Sequence, residues 1–397
     1  MGRRRRSVSA AAVAAAGLVL GGPIVRRAVG ERLIARTERR LCAVVDPGPY
    51  VVPATAARLH ARLTVVDLHG DSLLFGRDLL ARSTRGHVDV PRMVAGNATL
   101  QVFAVATKVP RNLNIERNDD RTDDITLVAL GLGWPRSTWR SRLARAEHQA
   151  ARLARFAAES GGRLSLVRSI GDLEAFLARR AADPKLVAGL LAIEGAHALD
   201  DDLANLERLD AAGYRMVGLA HFFDNAFGGS AHGIAKGGLS VPGREMVARM
   251  EARGMVVDVA HASAATIDDV LAIATRPVVA SHTGVRGTAD NARNLSDAHL
   301  RGIAATGGVV GIGFWDTATG GDDVAAIARA IAYAVDIAGI EHVGLGSDFD
   351  GGVRVPIDAT GLVQITDALL DLGFVDGAIA RVMGGNAIRL LMETLPA

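Results

Sequence analysis

Runs of five to eight Val-, Leu- and Ile-rich residues alternate along this chain with stretches whose apolar positions recur every three or four residues. The first pattern fits strands buried on both faces, as in a parallel sheet, and the second fits amphipathic helices. Eight strands are predicted, at 63–68, 98–106, 187–193, 214–220, 254–260, 277–281, 307–314 and 342–347. Helical spacing is clear in 141–160, 241–254 and 296–308, where Ser296 or Asp297 is placed to cap the last. Strand and helix alternate eight times, and no Gly-x-Gly-x-x-Gly turn follows a strand. That predicts an α/β chain closed as a TIM-type (β/α)8 barrel rather than an open nucleotide-binding sheet. The mixed, polar segment 107–140 is expected as an insertion over the barrel mouth.

The apolar runs keep ending in groups that bind metals or move protons. LTVVDLHGD closes on His69 and Asp71, LVAGLLAIEG on Glu194 and YRMVGLAH on His221. GMVVDVAH closes on His261, PVVASH on His282 and HVGLGSDFD on Asp348. Functional groups confined to the C-terminal ends of strands mark the working face of such a barrel. His69 and Asp71, at i and i+2 of an extended strand, point to one side and could share a cation. Glu194 has two oxygens and could bridge two cations. His261 and His282 end successive strands and lie near enough to share one. His221 could be a ligand, or could steady a developing oxyanion. Asp348 stands where a carboxylate could accept a proton from activated water. Asp350, two residues on, is expected to cap the next turn. Arg293 in NARNLSD could hold a substrate carboxylate through two parallel hydrogen bonds. His197 and His232 are expected near the mouth, behind the first rank of residues.

Composition narrows this further. The chain has 397 residues, 49% of them hydrophobic, enough for one large barrel with additions. Its net charge of +2 is uneven: residues 1–40 hold ten Arg and two Glu, or +8, which leaves −6 for the rest. The basic character therefore belongs to the N-terminus and does not argue for nucleic acid as a partner of the barrel. The single cysteine, Cys42, excludes a disulfide framework and a thiolate zinc site. Residues 1–25, with RRRR followed by an apolar stretch, have the layout of a signal sequence or membrane anchor. Six further arginines up to Arg40 favour retention of that side inside. Membrane association or export is the expectation, with membrane contact through residues 1–40, and a cytoplasmic location is the alternative. Residues 26–60 read as a basic lead-in with prolines, and 61–397 as the barrel.

From about Val65 to Leu391 the chain resembles the renal or membrane dipeptidase family of the amidohydrolase superfamily. The segments that carry the likeness are VVDLHGDSLL, LLAIEGAHAL, VGLAHFFDN, GLSVPGREMVARMEARGMVVDVAHAS, PVVASHTGVR, ARNLSD, GGVVGIGF, HVGLGSDFDGG and GGNAIRLL, in that order. The resemblance implies two zinc ions per chain: one held by His69, Asp71 and Glu194, the other by Glu194, His261 and His282. It implies that His221 lies near the scissile carbonyl, that Arg293 binds the substrate carboxylate and that Asp348 handles the proton of the water bridging the metals, which attacks as hydroxide. The expected reaction is hydrolysis of dipeptides or close analogues, by a homodimer. The chain departs from the family pattern at Gly70, where Asn is usual, in DVAH for Asp-Leu-Ser-His, and at Ala292, where Pro is usual. Two alternatives are a related amidohydrolase acting on lactams, lactones or N-acyl amino acids, and a non-catalytic membrane-tethered binding protein.

Overall fold

The computed structural model describes residues 23–397, with side chains from residue 27 onward. Most of the expected signal or anchor segment, residues 1–22, lies outside the described residues. Among the described residues, no helix is long and apolar enough to cross a membrane.

Nine parallel strands form one sheet: β1 Val65–Gly70, β2 Ala98–Ala106, β3 Leu164–Leu166, β4 Val187–Glu194, β5 Tyr214–Gly218, β6 Val256–Asp258, β7 Val278–Thr283, β8 Val309–Ile312 and β9 Val343–Leu345. β2 pairs with β4 over seven residues, from Leu100↔Ala188 to Ala106↔Glu194, and this closes eight of them into a barrel. β3 pairs only with β4 and is an added edge strand. All eight expected strands are present. β6 is shorter than 254–260 because Gly254 (φ 66°) and His261 (φ 61°) turn the chain out of the ladder at either side.

Alternate residues along the strands fall into two apolar clusters. Val66, Leu100, Leu190, Met216, Val256, Val279 and Val309 group with Leu390 and Leu391 of the C-terminal helix Asn386–Thr394. Val65, Phe103, Leu191, Val217, Val257, Val278 and Val310 pack with the surrounding helices. At roughly 1.5–3 kcal/mol for each fully buried aliphatic side chain, these two clusters supply the main driving force for closure.

The helix Arg142–Glu159 anchors the segment 107–140 through one residue. Arg145, 1% exposed, donates to Thr107 O (2.7 Å), Asp123 Oδ2 (2.5 Å), Thr126 Oγ1 (2.7 Å), Thr138 O (2.6 Å) and Trp139 O (3.1 Å). Only the first part of 107–140 reaches the mouth, where Ile115 O and Asn118 bond His232. The helix Asp124–Gly131 within it packs instead on the N-terminal helix Pro23–Leu41. The two meet backbone to backbone, since a Cβ added at Gly30 would stand 2.3 Å from Gly131 O. Ser296 caps Asp297–Ala305 by accepting from the His299 N–H (3.2 Å).

Candidate metal centre

The strand ends deliver their chemistry to one point. Glu194, the last residue of β4, is 6% exposed and central. Its Oε1 lies 3.1 Å from His261 Nε2, 3.4 Å from His282 Nε2 and 3.5 Å from His69 Nε2. Its Oε2 lies 3.1 Å from His221 Nε2. His69 Nε2 is also 3.5 Å from Asp71 Oδ2. Ligand atoms from His69, Asp71 and Asp348 lie within 4.8 Å of one another, as do those of His69, Glu194 and His282, and those of Glu194, His221 and His261. All these residues are buried. The structure thus brings together every expected ligand, and adds His221 and Asp348 to the same cluster.

The donor set fits cations. Donor atoms sharing a tetrahedral zinc, at about 2.0–2.2 Å each from the ion, stand roughly 3.4 Å apart. Of the four distances around Glu194, the two to His282 and His69, 3.4 and 3.5 Å, fall at that value and are long for direct hydrogen bonds. His69 Nε2 and Asp71 Oδ1 are buried and have no hydrogen-bond partner among the described residues. Buried polar atoms without partners are costly, and a cation is what would satisfy these.

The electrostatics agree. Burial pushes Asp348 well above the usual carboxylate range, partly offset by His69 and reinforced by Asp71 and Glu194. Burial, then Asp71, also raises Glu194. Burial, neighbouring imidazoles and Arg293 push His221, His261 and His282 well below the ordinary histidine value, so these rings are neutral and have a free lone pair. Burial also lowers His69, but the Asp71 and Glu194 carboxylates outweigh it and hold that ring well above. Three carboxylates crowded into one buried site call for positive charge beyond Arg293.

Local backbone conformation aims these side chains. His261 and Asp348 both take left-handed φ, 61° each, just beyond their strands. Such values are uncommon for residues with a Cβ and are kept only where the surroundings hold them. Ser281 Oγ lies 3.1 Å from His69 Nδ1 and 3.0 Å from His282 Nδ1. This one hydroxyl engages both Nδ1 atoms and turns both Nε2 atoms toward Glu194. Below, Asp67 accepts from Gln101 Nε2 (2.8 Å), Ser347 N (2.8 Å) and Ser347 Oγ (2.6 Å) and so ties β1, β2 and β9 together under the site. Gly70 makes room for that amide, since a Cβ there would stand 3.0 Å from Gln101 Nε2.

Arg293 is 6% exposed and sits over the Trp315 ring, 5.6 Å from its centroid, with Nη2 donating to His282 O (2.7 Å). Burial brings it down to about 10, which leaves it charged at neutral pH. His197 and His232 lie behind His221 and His261, with ring centroids 6.4 Å and 5.1 Å away respectively.

Asp350 does not cap the following turn. It is fully buried and accepts from Arg77, Ser72 and the His87 N–H. Sequence reasoning passed over Asp67, Ser281 and Trp315. Asp67 stands at i and i+2 with His69, Ser281 directly precedes His282, and Trp315 follows a strand end, so each had a positional signal.

The sequence model of the membrane dipeptidase family (peptidase family M19) matches residues 54–395. The chain belongs to the membrane dipeptidase family. The curated relative "Uncharacterized dipeptidase C965.12" of Schizosaccharomyces pombe is 34% identical over 221 residues, which is 52% of this chain and 53% of the relative. The chain thus aligns with about half the length of that relative. A solved structure of the dipeptidase AC, a metallopeptidase of family M19, shares 26% identity with a TM-score of 0.70, over 84% of this chain and 99% of that one. The metallopeptidase of Rhodobacter sphaeroides, solved with a phosphinate mimic of the dipeptide L-Ala-D-Ala, has the same fold, with a TM-score of 0.69 at 24% identity over 84% of this chain and 99% of that one.

Proposed function

We propose that this M19 family member is a metallo-dipeptidase with two zinc ions per chain. One ion would be held by His69, Asp71 and Glu194, the other by Glu194, His261 and His282. The observation that carries the reading is Glu194, whose Oε1 stands within 3.5 Å of imidazoles from three other strands. When bound, such a cation pair polarises the scissile carbonyl and makes hydroxide available near neutral pH.

The chain's own residues do the rest. Arg293 binds the free carboxylate of the substrate and so places the amide bond beside Glu194. His221 hydrogen-bonds the carbonyl oxygen as charge develops there. Asp348 takes the proton from the attacking water and gives it to the leaving amine nitrogen. Trp315 and the segment around Ile115 exclude bulk water from one side of the site. The dipeptide mimic held by the Rhodobacter sphaeroides protein of the same fold supports this substrate class. The homodimer implied by the family resemblance belongs to the same proposal, and sedimentation of the zinc-loaded protein checks it.

The test is a panel of dipeptides, their C-terminal amides and N-acyl amino acids, assayed on zinc-loaded protein. Dipeptides are expected to be cleaved and their amides to react roughly 100-fold more slowly, because the amides cannot pair with Arg293. Cleavage confined to N-acyl amino acids would overturn the dipeptidase reading in favour of a related amidohydrolase.

Ser281→Ala checks the metal site separately. Without this hydroxyl neither ring is held in place through its Nδ1, and zinc affinity should fall about 10- to 100-fold. Competition with a chromogenic chelator reads this directly, and unchanged affinity would remove Ser281 from the site.

A further inference from the structure

The helix Pro23–Leu41 lies outside the residues matched to the family, yet it sends one buried carboxylate toward the barrel mouth. Glu38 is 0% exposed. Its Oε1 is 2.5 Å from Arg77 Nε, and its Oε2 pairs with Arg85 Nε. Arg77, itself buried, places Nη1 on Val88 O (2.6 Å) and Nη2 on Asp350. Asp350 also accepts from Ser72 Oγ and from the His87 N–H (2.7 Å), and its own N–H donates to His87 Nδ1 (2.9 Å). A buried row of carboxylate, guanidinium and carboxylate therefore runs from the N-terminal helix to two places in the site. One is Ser72, next to Asp71. The other is the turn 348–351, which carries Asp348.

That turn needs holding. Asp348 and Asp350 both have left-handed φ, 61° and 65°. A Cβ added at Gly351 would stand 1.8 Å from Asp348 Oδ1 and 3.0 Å from Asp71 Oδ2, so both carboxylates lie directly against the turn. Two non-glycine residues in this conformation store strain that only surrounding contacts can hold. The desolvation cost of a buried ion network largely cancels its attraction, so such a network is a poor device for net stability and a good one for fixing geometry.

We infer that Glu38 and Arg77 are positioning residues of the active site: through Asp350 they fix the turn that aims Asp348 and the loop that carries Asp71. The N-terminal helix is then part of the working enzyme and not merely its lead-in. The inference rests on the dipeptidase reading.

The test uses full-length zinc-loaded protein, with the wild type assayed in parallel. Glu38→Gln keeps the shape and removes the charge. At saturating zinc its kcat should fall about 10- to 100-fold, the scale expected when reacting groups are displaced by up to an ångström. KM should stay within about twofold, because Arg293 is untouched. Zinc affinity should weaken severalfold, since Asp71 shares the loop. A wild-type kcat in Glu38→Gln overturns the inference, as does a loss that is fully restored by cooling the assay, which would mark a purely structural role. If Glu38→Gln does not fold, Glu38→Asp carries the same test, because it keeps the charge but withdraws it from Arg77 by a methylene. If the wild type cleaves no dipeptide, it is the function that fails. The positioning role is then read from zinc affinity alone, and unchanged affinity in the variant overturns it.

Discussion

Replacing Glu194 with glutamine is expected to lower dipeptide hydrolysis by on the order of 10⁴-fold and to strip zinc from the protein, while the barrel stays folded. Both proposed metal positions depend on this one carboxylate, since its Oε1 alone lies within 3.5 Å of Nε2 of His69, His261 and His282. A neutral amide offers one weak acceptor where two anionic ligand atoms stood. Its NH2 group would also face imidazole nitrogens that need a cation. The fold does not need the charge, because β4 is held through its backbone pairing, Ala106↔Glu194 included. Burial already raises this carboxyl, so neutralising it removes a desolvation cost. Metal analysis, kcat/KM and a thermal melt on one preparation make the check. Retention of two zinc ions, or activity within tenfold of the wild type, would mean that the catalytic centre lies elsewhere.

The parts of this architecture that sequence could reveal are those governed by local pattern. Each barrel strand is a continuous apolar run because both of its faces are buried, and each residue of the metal cluster ends such a run because strand ends open onto the mouth. β3 escaped notice because three residues with Ser165 in the middle carry too little pattern to stand out from a loop. Cooperation between distant residues was also out of reach. Asp350 reads as a turn residue in DFDGG, and only the fold shows Arg77, 273 positions away, held against it. The expected grouping of ligands came from the family resemblance. In the closed barrel His221 and Asp348 stand as near to the cluster as the residues assigned to metal, because the curvature brings all the strand ends to one rim. Ser281 shows the same limit: its hydroxyl reaches His69, 212 positions away in sequence, only after β7 and β1 have met in three dimensions.

Arg293→Ala is expected to weaken kcat/KM for dipeptides by about 30- to 1000-fold, mostly through KM, and to leave zinc content unchanged. Truncating one partner of a buried, hydrogen-bonded charge pair costs roughly 2–4 kcal/mol, and that sets the range. The guanidinium is pre-positioned for the task. Stacking over Trp315 and the bond from Nη2 to His282 O fix its plane, and its other donors have no protein partner among the described residues. An arginine buried so deeply, with Asp348 and Glu194 as its nearby anions, keeps its charge and still has hydrogen bonds to offer. Dipeptide amides provide the internal control. They lack the carboxylate, so Arg293→Ala should change their rates little, and the ratio of dipeptide to amide should collapse toward one. Arg293→Lys should recover only part of the difference, because a single ammonium cannot reproduce a planar fork. If the variant lost activity equally on dipeptides and amides, Arg293 would be acting through the His282 backbone and not on the substrate.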